Sequence, residues 1–306
     1  MTNSTQVFYF VLIAYFDTGV FKYVCVLVVL LLYSLILCFN LLLIVLICTD
    51  RGLQEPMYLF LCSLFANELY GSTALFPFLV LQILSDVHTI SPSWCFLQIF
   101  CLYSYGKVEF YCLTVISFDR YLAICFPLHY NRHMTITRAV ILIVLIWVIS
   151  FVLNAFAFML LVPLQLCGNI MNKVYCVSTS ITKLACSETP VVNIFGLLVS
   201  SVSIYLPFLV IVYTYIQIFR VCFSGSKQTR QKVFSTCTPH LASLINFSFG
   251  VCFEILGGRF NMNTVPSMLR IFLSLYFLTC PPLLNPLMYG LNLSKIRLKC
   301  KSLMSK

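Results

Sequence analysis

Seven apolar stretches set the limits on what this 306-residue chain can fold into, at approximately 23–48, 57–84, 95–126, 138–162, 193–222, 231–257 and 266–290. Each reaches the roughly 20 residues that a helix needs to cross about 30 Å of hydrocarbon. In that medium no water pairs with a backbone amide, so a spanning segment is either a helix or a strand of a closed barrel. Barrel strands alternate apolar and polar residues, whereas the run from Val24 to Leu37 does not alternate. The expected fold is therefore an all-α membrane protein, a seven-transmembrane-helix bundle. Composition agrees, with 9% charged residues against about 25% in soluble domains.

Lysines and arginines near the ends of the spans predict the orientation. With the amino terminus outside, twelve of them, including Arg51, Arg132, Arg138 and Lys295, fall on the cytosolic side; five, Lys22, Lys173, Lys183, Arg259 and Arg270, fall on the other. The chain then divides into an extracellular segment 1–22, a helical membrane domain 23–290 and a cytoplasmic tail 291–306. The net charge of +10 reads as a topology signal with some attraction to anionic inner-leaflet lipid, not as a nucleic-acid footprint. Met1 to Phe10 lacks a basic region and a small-residue cleavage site, so the first span is expected to direct insertion. Asn3-Ser4-Thr5 fits a glycosylation acceptor on the outside. Asn246-Phe-Ser248 and Asn292-Leu-Ser294 match the same pattern but fall in the bilayer and the cytosol.

One connection is long, Pro163 to Val192, and it carries Cys167, Cys176 and Cys186 on the same side as Cys95. Disulfides persist outside the cell, and four cysteines allow three pairings. Past the last span, Leu293, Ile296 and Leu303 alternate with basic residues in a pattern suited to a short amphipathic surface helix. Cys300 in that segment is either a palmitoylation site or a free thiol.

Charge inside a span costs several kcal/mol unless it is paired or faces water, which makes each such residue a candidate for function. Asp119 and Arg120 meet at the cytosolic end of the third span, where a mutual ion pair lowers the cost of both and can break in a second state. The plainer reading is an arginine reaching out to the interface. Glu109 precedes Arg120 by eleven residues, close to three helical turns, so both project from nearly one face. Glu68 lies in the middle of the second span. Should Glu68 and Glu109 meet, either a proton or a sodium ion must sit between them. In the seventh span Pro286 interrupts the helix ladder, flanked by Asn285 and Tyr289 with rearrangeable polar groups. His129 and His133 read as loop histidines. No metalloprotease, serine-hydrolase or phosphate-loop pattern occurs, so neither an enzyme nor a metal centre is expected.

The segment Ser117-Phe-Asp-Arg-Tyr-Leu-Ala-Ile-Cys-Phe-Pro-Leu-His-Tyr130 resembles the third-helix terminus of odorant receptors, within the rhodopsin-like (class A) G-protein-coupled receptors. Asn285-Pro-Leu-Met-Tyr289 is similar to their N-P-x-x-Y element, and Trp147, Pro207 and Tyr215 fit the same pattern. Lys232-Val-Phe-Ser-Thr-Cys-Thr-Pro-His240 resembles K-A-F-S-T-C-x-S-H, departing at Val233 and Pro239. Pro56-Met-Tyr-Leu-Phe-Leu with Asn67-Glu-Leu-Tyr-Gly-Ser72 looks like the fish-type branch. The resemblance implies a switch made of Asp119, Arg120, Tyr121, Tyr215, Asn285, Pro286 and Tyr289, in which a released Arg120 faces a heterotrimeric G protein. It implies disulfides Cys95 with Cys176 and Cys167 with Cys186, and it usually has Asp where this chain has Glu68. The family's aromatic trigger in the sixth span falls on Ser248.

The resemblance also implies ligand-binding positions in the outer half of the bundle: Leu102, Tyr103, Gly106 and Lys107; Ser200 and Ser203; Val251, Glu254 and Ile255; Leu275 and Leu278. Lys107 needs an anion. Glu109, two residues on, points about 200° away around the helix, so the expected partner is an acidic odorant or Glu254. The expected function is an odorant receptor that signals through a stimulatory, olfactory-type G protein and cyclic AMP, in the plasma membrane of sensory cilia. A nonolfactory chemoreceptor is the nearest alternative. A transporter would show two related halves, which the chain lacks, and a retinal pump would need a lysine between Val265 and Gly290, where there is none. The sequence names neither the odorant nor a homo-oligomer partner.

Overall fold

Prolines and one threonine mark where the apolar runs become helices. The computed structural model describes residues 7–15, 19–259, 265–293 and 295–299. Among these, seven long helices carry the fold: α1 (Phe21–Thr49), α2 (Pro56–Leu84), α3 (Pro92–Cys125), α5 (Ile136–Leu161), α7 (Pro190–Ser224), α8 (Lys227–Arg259) and α9 (Ser267–Asn292). Two short ones, α4 (Tyr130–His133) and α6 (Ser178–Lys183), lie in loops. Proline opens α2, α3 and α7, where its missing N–H costs nothing. Thr135 caps α5 by accepting the Arg138 amide at 3.3 Å. Six of the seven are long and apolar enough to cross a membrane. The seventh, α8, starts on the polar run Lys227-Gln-Thr-Arg-Gln-Lys232 and turns apolar only beyond it.

The bundle is apolar outside and keeps its polar groups inside. Leu27, Met159 and Leu209 are 67%, 74% and 64% exposed, while Asn40, Glu68, Glu109, Asp119 and Asn285 are fully buried. In water this would expose large apolar areas; in lipid it places each polar group where a protein partner is available. The chain is a multi-pass membrane protein with α3 at its centre, packed against α2, α5, α7 and α8.

One end of the bundle carries the disulfides and the other carries Arg120. At the disulfide end Cys95 is bonded to Cys176 and Cys167 to Cys186, so the long loop is fixed to the start of α3. A three-stranded sheet covers this end. Strand β1 (Phe10–Leu12) pairs antiparallel with β2 (Thr89–Ile90) and parallel with β3 (Ile170–Met171), with Phe10 opposite Ile90 and Leu12 opposite Met171. Phe10, Leu12, Ile90, Met171 and Ile181 form a separate apolar cluster with this disulfide. The segment expected only as an extracellular lead thus contributes a strand.

At the other end residues 295–299 are helical. Leu293 and Ile296 are buried, and Lys295 and Lys299 pair with Glu55 and Asp50, each at 2.6 Å. Asn3 and Cys300 lie outside the described residues. Within α9, Pro286 cannot donate to the carbonyl four residues back, that of Pro282. Asn40 of α1 supplies the missing donor, at 2.9 Å, which is how a membrane helix tolerates its proline.

Candidate functional site

A cavity of about 250 Å³ lies beneath the disulfide-pinned loop. It is small for a drug-sized ligand, whose pockets run from about 300 Å³ upward, and so suits a small molecule. Of the positions expected for ligand contact, Leu102, Tyr103, Gly106, Lys107, Ser200, Ser203, Val251, Glu254 and Ile255 line it. Leu275 and Leu278 do not. Both belong to the packed core instead, and Phe277 is the α9 residue facing the cavity. One residue is about 100° of helix, so neighbours on α9 serve different surfaces.

The two charges in this lining are not partners. Lys107, 9% exposed, donates to the Asn154 side-chain oxygen and stands 5.7 Å from the centre of the Tyr103 ring. Glu254 is taken instead by Lys173 of the loop, at 2.9 Å. The expected Lys107–Glu254 pair is therefore absent: the loop folds back over α8 and delivers a closer cation. Lys107 is left with a neutral acceptor, an aromatic face and no carboxylate among the described residues.

Below the cavity the aromatic contact between α8 and α3 comes from Phe247, not from position 248. Its fully buried ring meets Tyr105 at 6.0 Å and Phe110 at 5.0 Å between centroids. The Ser248 hydroxyl is buried without a hydrogen bond. The aromatic contact thus comes from the residue beside the position that the resemblance marks.

The next layer is a polar core. Tyr105 donates to Glu68 at 3.0 Å and also approaches the Phe277 carbonyl at 3.2 Å. The Asn285 amide donates to both Glu68 and Glu109, the latter at 3.0 Å. Asn67 donates to Glu109 at 3.0 Å, and Ser243 donates to the Asn285 oxygen at 2.8 Å. Glu68 and Glu109 are thus brought onto one amide. The side-chain oxygens of Asn67 and Ser72, also on α2, are buried and unpartnered. Carboxylate, amide and hydroxyl oxygens are the ligand types that small hard cations take.

At the far end Arg120 donates to Asp119 through two nitrogens, Nε at 3.0 Å. The other Asp119 oxygen accepts Tyr130 at 2.7 Å. Burial and then the Asp119 charge push the Tyr130 phenol above its ordinary value, so it remains a donor. Tyr121 packs edge-on against Phe126 and Tyr213. Tyr215 is buried with an unpartnered hydroxyl, and Tyr289 meets His240 Nδ1 at 3.2 Å. Sequence reasoning named neither Tyr130 nor His240 as a site residue, although both close motifs it quoted. It also passed over Asn67, Tyr105, Asn154 and Ser243, neutral residues whose importance depends on which charged group they meet.

Nothing in this arrangement is set up for bond-making chemistry. It is a cavity, a hydrogen-bonded core and a breakable ion pair, stacked along α3. A sequence model of the family described as Olfactory receptor matches residues 29–306. The chain is 34% identical to Olfactory receptor 1500 of Rattus norvegicus over 264 residues, covering 85% of this chain and 83% of that one. It is also 34% identical to Olfactory receptor 11H6 of Homo sapiens over 266 residues (86% and 80%) and 32% identical to Olfactory receptor 6C1 of Homo sapiens over 304 residues (97% and 95%). With kinship running through all seven helices, this chain belongs to the olfactory receptor family of G-protein-coupled odorant receptors.

Proposed function

We propose that the odorant occupies the cavity at the disulfide end and that it is an acid whose carboxylate pairs with Lys107. The observation that carries this reading is an ammonium lining the cavity that meets Asn154 and an aromatic ring and, among the described residues, no carboxylate. A cation in a nearly dry setting gains more from an anion than from a neutral acceptor. The excess of lysine and arginine at the Arg120 end supports an outside amino terminus and a cytosolic carboxyl terminus. Odorant then enters from outside and the G protein binds at Arg120, through a stimulatory, olfactory-type partner that raises cyclic AMP in sensory cilia. Ligand affinity must differ between the two states of the bundle, and by reciprocity the G protein raises ligand affinity.

The test is a panel of carboxylic acids, amines and neutral odorants applied to cells expressing wild type or Lys107→Met. Wild type should respond best to acids. Lys107→Met should weaken the acid response by roughly tenfold or more, the worth of a charge-assisted hydrogen bond of about 1.5–3 kcal/mol. Unchanged acid responses would remove Lys107 from ligand contact.

The two glutamates of the polar core would hold sodium, with Asn67 and Ser72 supplying neutral oxygens. Bound there, the ion would stabilise the present packing by offsetting one of the two carboxylate charges. Glu68→Gln with Glu109→Gln should make the ligand response indifferent to sodium; an equally sodium-sensitive double variant would exclude the site.

A further inference from the structure

We propose that the lipid-facing side of α1, at the Arg120 end, binds one anionic glycerophospholipid. A groove of about 470 Å³ opens there, bounded by Leu42, Val45, Leu46 and Thr49 on α1 and by Asp50, Arg51 and Lys299 at its mouth. Its two parts differ in chemistry. Leu42 and Val45 are 48% and 56% exposed, on a helix whose apolar window is only 17% buried, so they face hydrocarbon. The mouth is basic. Lys299 is about half exposed, and Arg51 is exposed and makes no ion pair among the described residues.

The one acid at the mouth is already satisfied within the protein. Asp50 accepts Lys299 at 2.6 Å and the Gly52 amide at 2.8 Å. Those two bonds hold its carboxyl below the ordinary carboxylate range, so it stays ionised and keeps Lys299 in place. An ammonium has three donors, which lets Lys299 hold Asp50 and still offer a hydrogen to a phosphate oxygen. Two cations against one anion leave the mouth with a net positive charge. A soluble phosphate would satisfy the mouth but leave Leu42 and Val45 unused, whereas a phospholipid meets both parts. The leaflet assignment rests on the orientation proposed above, which puts this end at the cytosolic surface where anionic lipid is concentrated. The rival occupant is an acyl chain attached to Cys300, the neighbour of Lys299 in sequence.

The experiment is native mass spectrometry of the full chain in detergent, with phosphatidylserine or phosphatidylcholine added at equal concentration. Phosphatidylserine should be retained in preference. Arg51→Gln with Lys299→Gln should weaken it by roughly fivefold for each charge removed, while Arg220→Gln, a remote cation at the same end, should leave it unchanged. Val45→Trp fills the apolar part without altering charge and should also expel the lipid, so the proposal stays testable if the double variant does not fold. Equal retention of the two lipids, or phosphatidylserine retention that survives both groove variants, would overturn it. So would phosphatidylserine binding seen only in Cys300→Ser, since the protein's own acyl chain would then fill the groove. Binding in detergent does not depend on orientation. If it holds while tail-epitope accessibility in cells puts this end outside, the orientation fails and the groove stands.

Discussion

Asn285 ties the two glutamates of the polar core to α8. Its amide serves both Glu68 and Glu109, and its oxygen accepts Ser243. A donor lost from a dry core leaves acceptors unsatisfied at roughly 1–3 kcal/mol. Asn285→Leu should therefore lower the melting temperature of the purified receptor, whereas Asn285→Asp, which removes the donor but keeps an oxygen for Ser243, should act more strongly by adding a third carboxyl. Thermal unfolding in detergent measures both. Sequence reasoning reached Asn285 through its neighbour Pro286, and reached Asp119 and Arg120 because they are adjacent in a long distinctive run. It missed Asn67 and Asn154 because an asparagine in an apolar helix has no signature of its own; its role depends on a partner 42 or 47 residues away.

Helices were legible because hydrocarbon thickness dictates their length and leaves little choice of structure. Observed helix ends extend past the apolar stretches, as at Lys227, because a helix does not stop where the membrane does. The sheet was not legible: β1 has three residues, and its partners lie near positions 89 and 170. The pairing of the four cysteines was likewise open from spacing alone. The closest packing of α8 on α9 also turns on a detail that hydropathy ignores. At Gly250 a Cβ would sit 2.8 Å from the Phe277 Cα and 2.5 Å from its Cβ, and backbone cannot swing aside as a flexible side chain can. Gly250→Ala should force the two helices apart, at about 1–3 kcal/mol for an overpacked contact. Since Phe277 lines the cavity, the variant should lose ligand response even at permissive temperature. A receptor with normal melting and normal response would show that α9 yields there at no cost.

Across the whole molecule α8 runs beside α3 from the cavity through the polar core to Tyr289. Glu254 stands at the cavity, Phe247 against α3, Ser243 in the polar core and His240 on Tyr289. The loop holds this helix through Lys173 and Glu254, whose side chains are 13% and 17% exposed, so solvent screens the pair only partly. If activation displaces α8, the pair stabilises the present state alone, and its loss shifts the equilibrium by the whole of its worth. At about 1 kcal/mol that is a roughly fivefold rise in the active fraction when this fraction is small. Lys173→Gln and Glu254→Gln should each raise basal G-protein activation by about that factor. The double variant should do no more than either single, because both remove one interaction. Suppose instead that Glu254→Gln alters odorant response while Lys173→Gln changes neither basal nor stimulated activity. The carboxylate would then act on the ligand, and the loop would cover the cavity without restraining the helix.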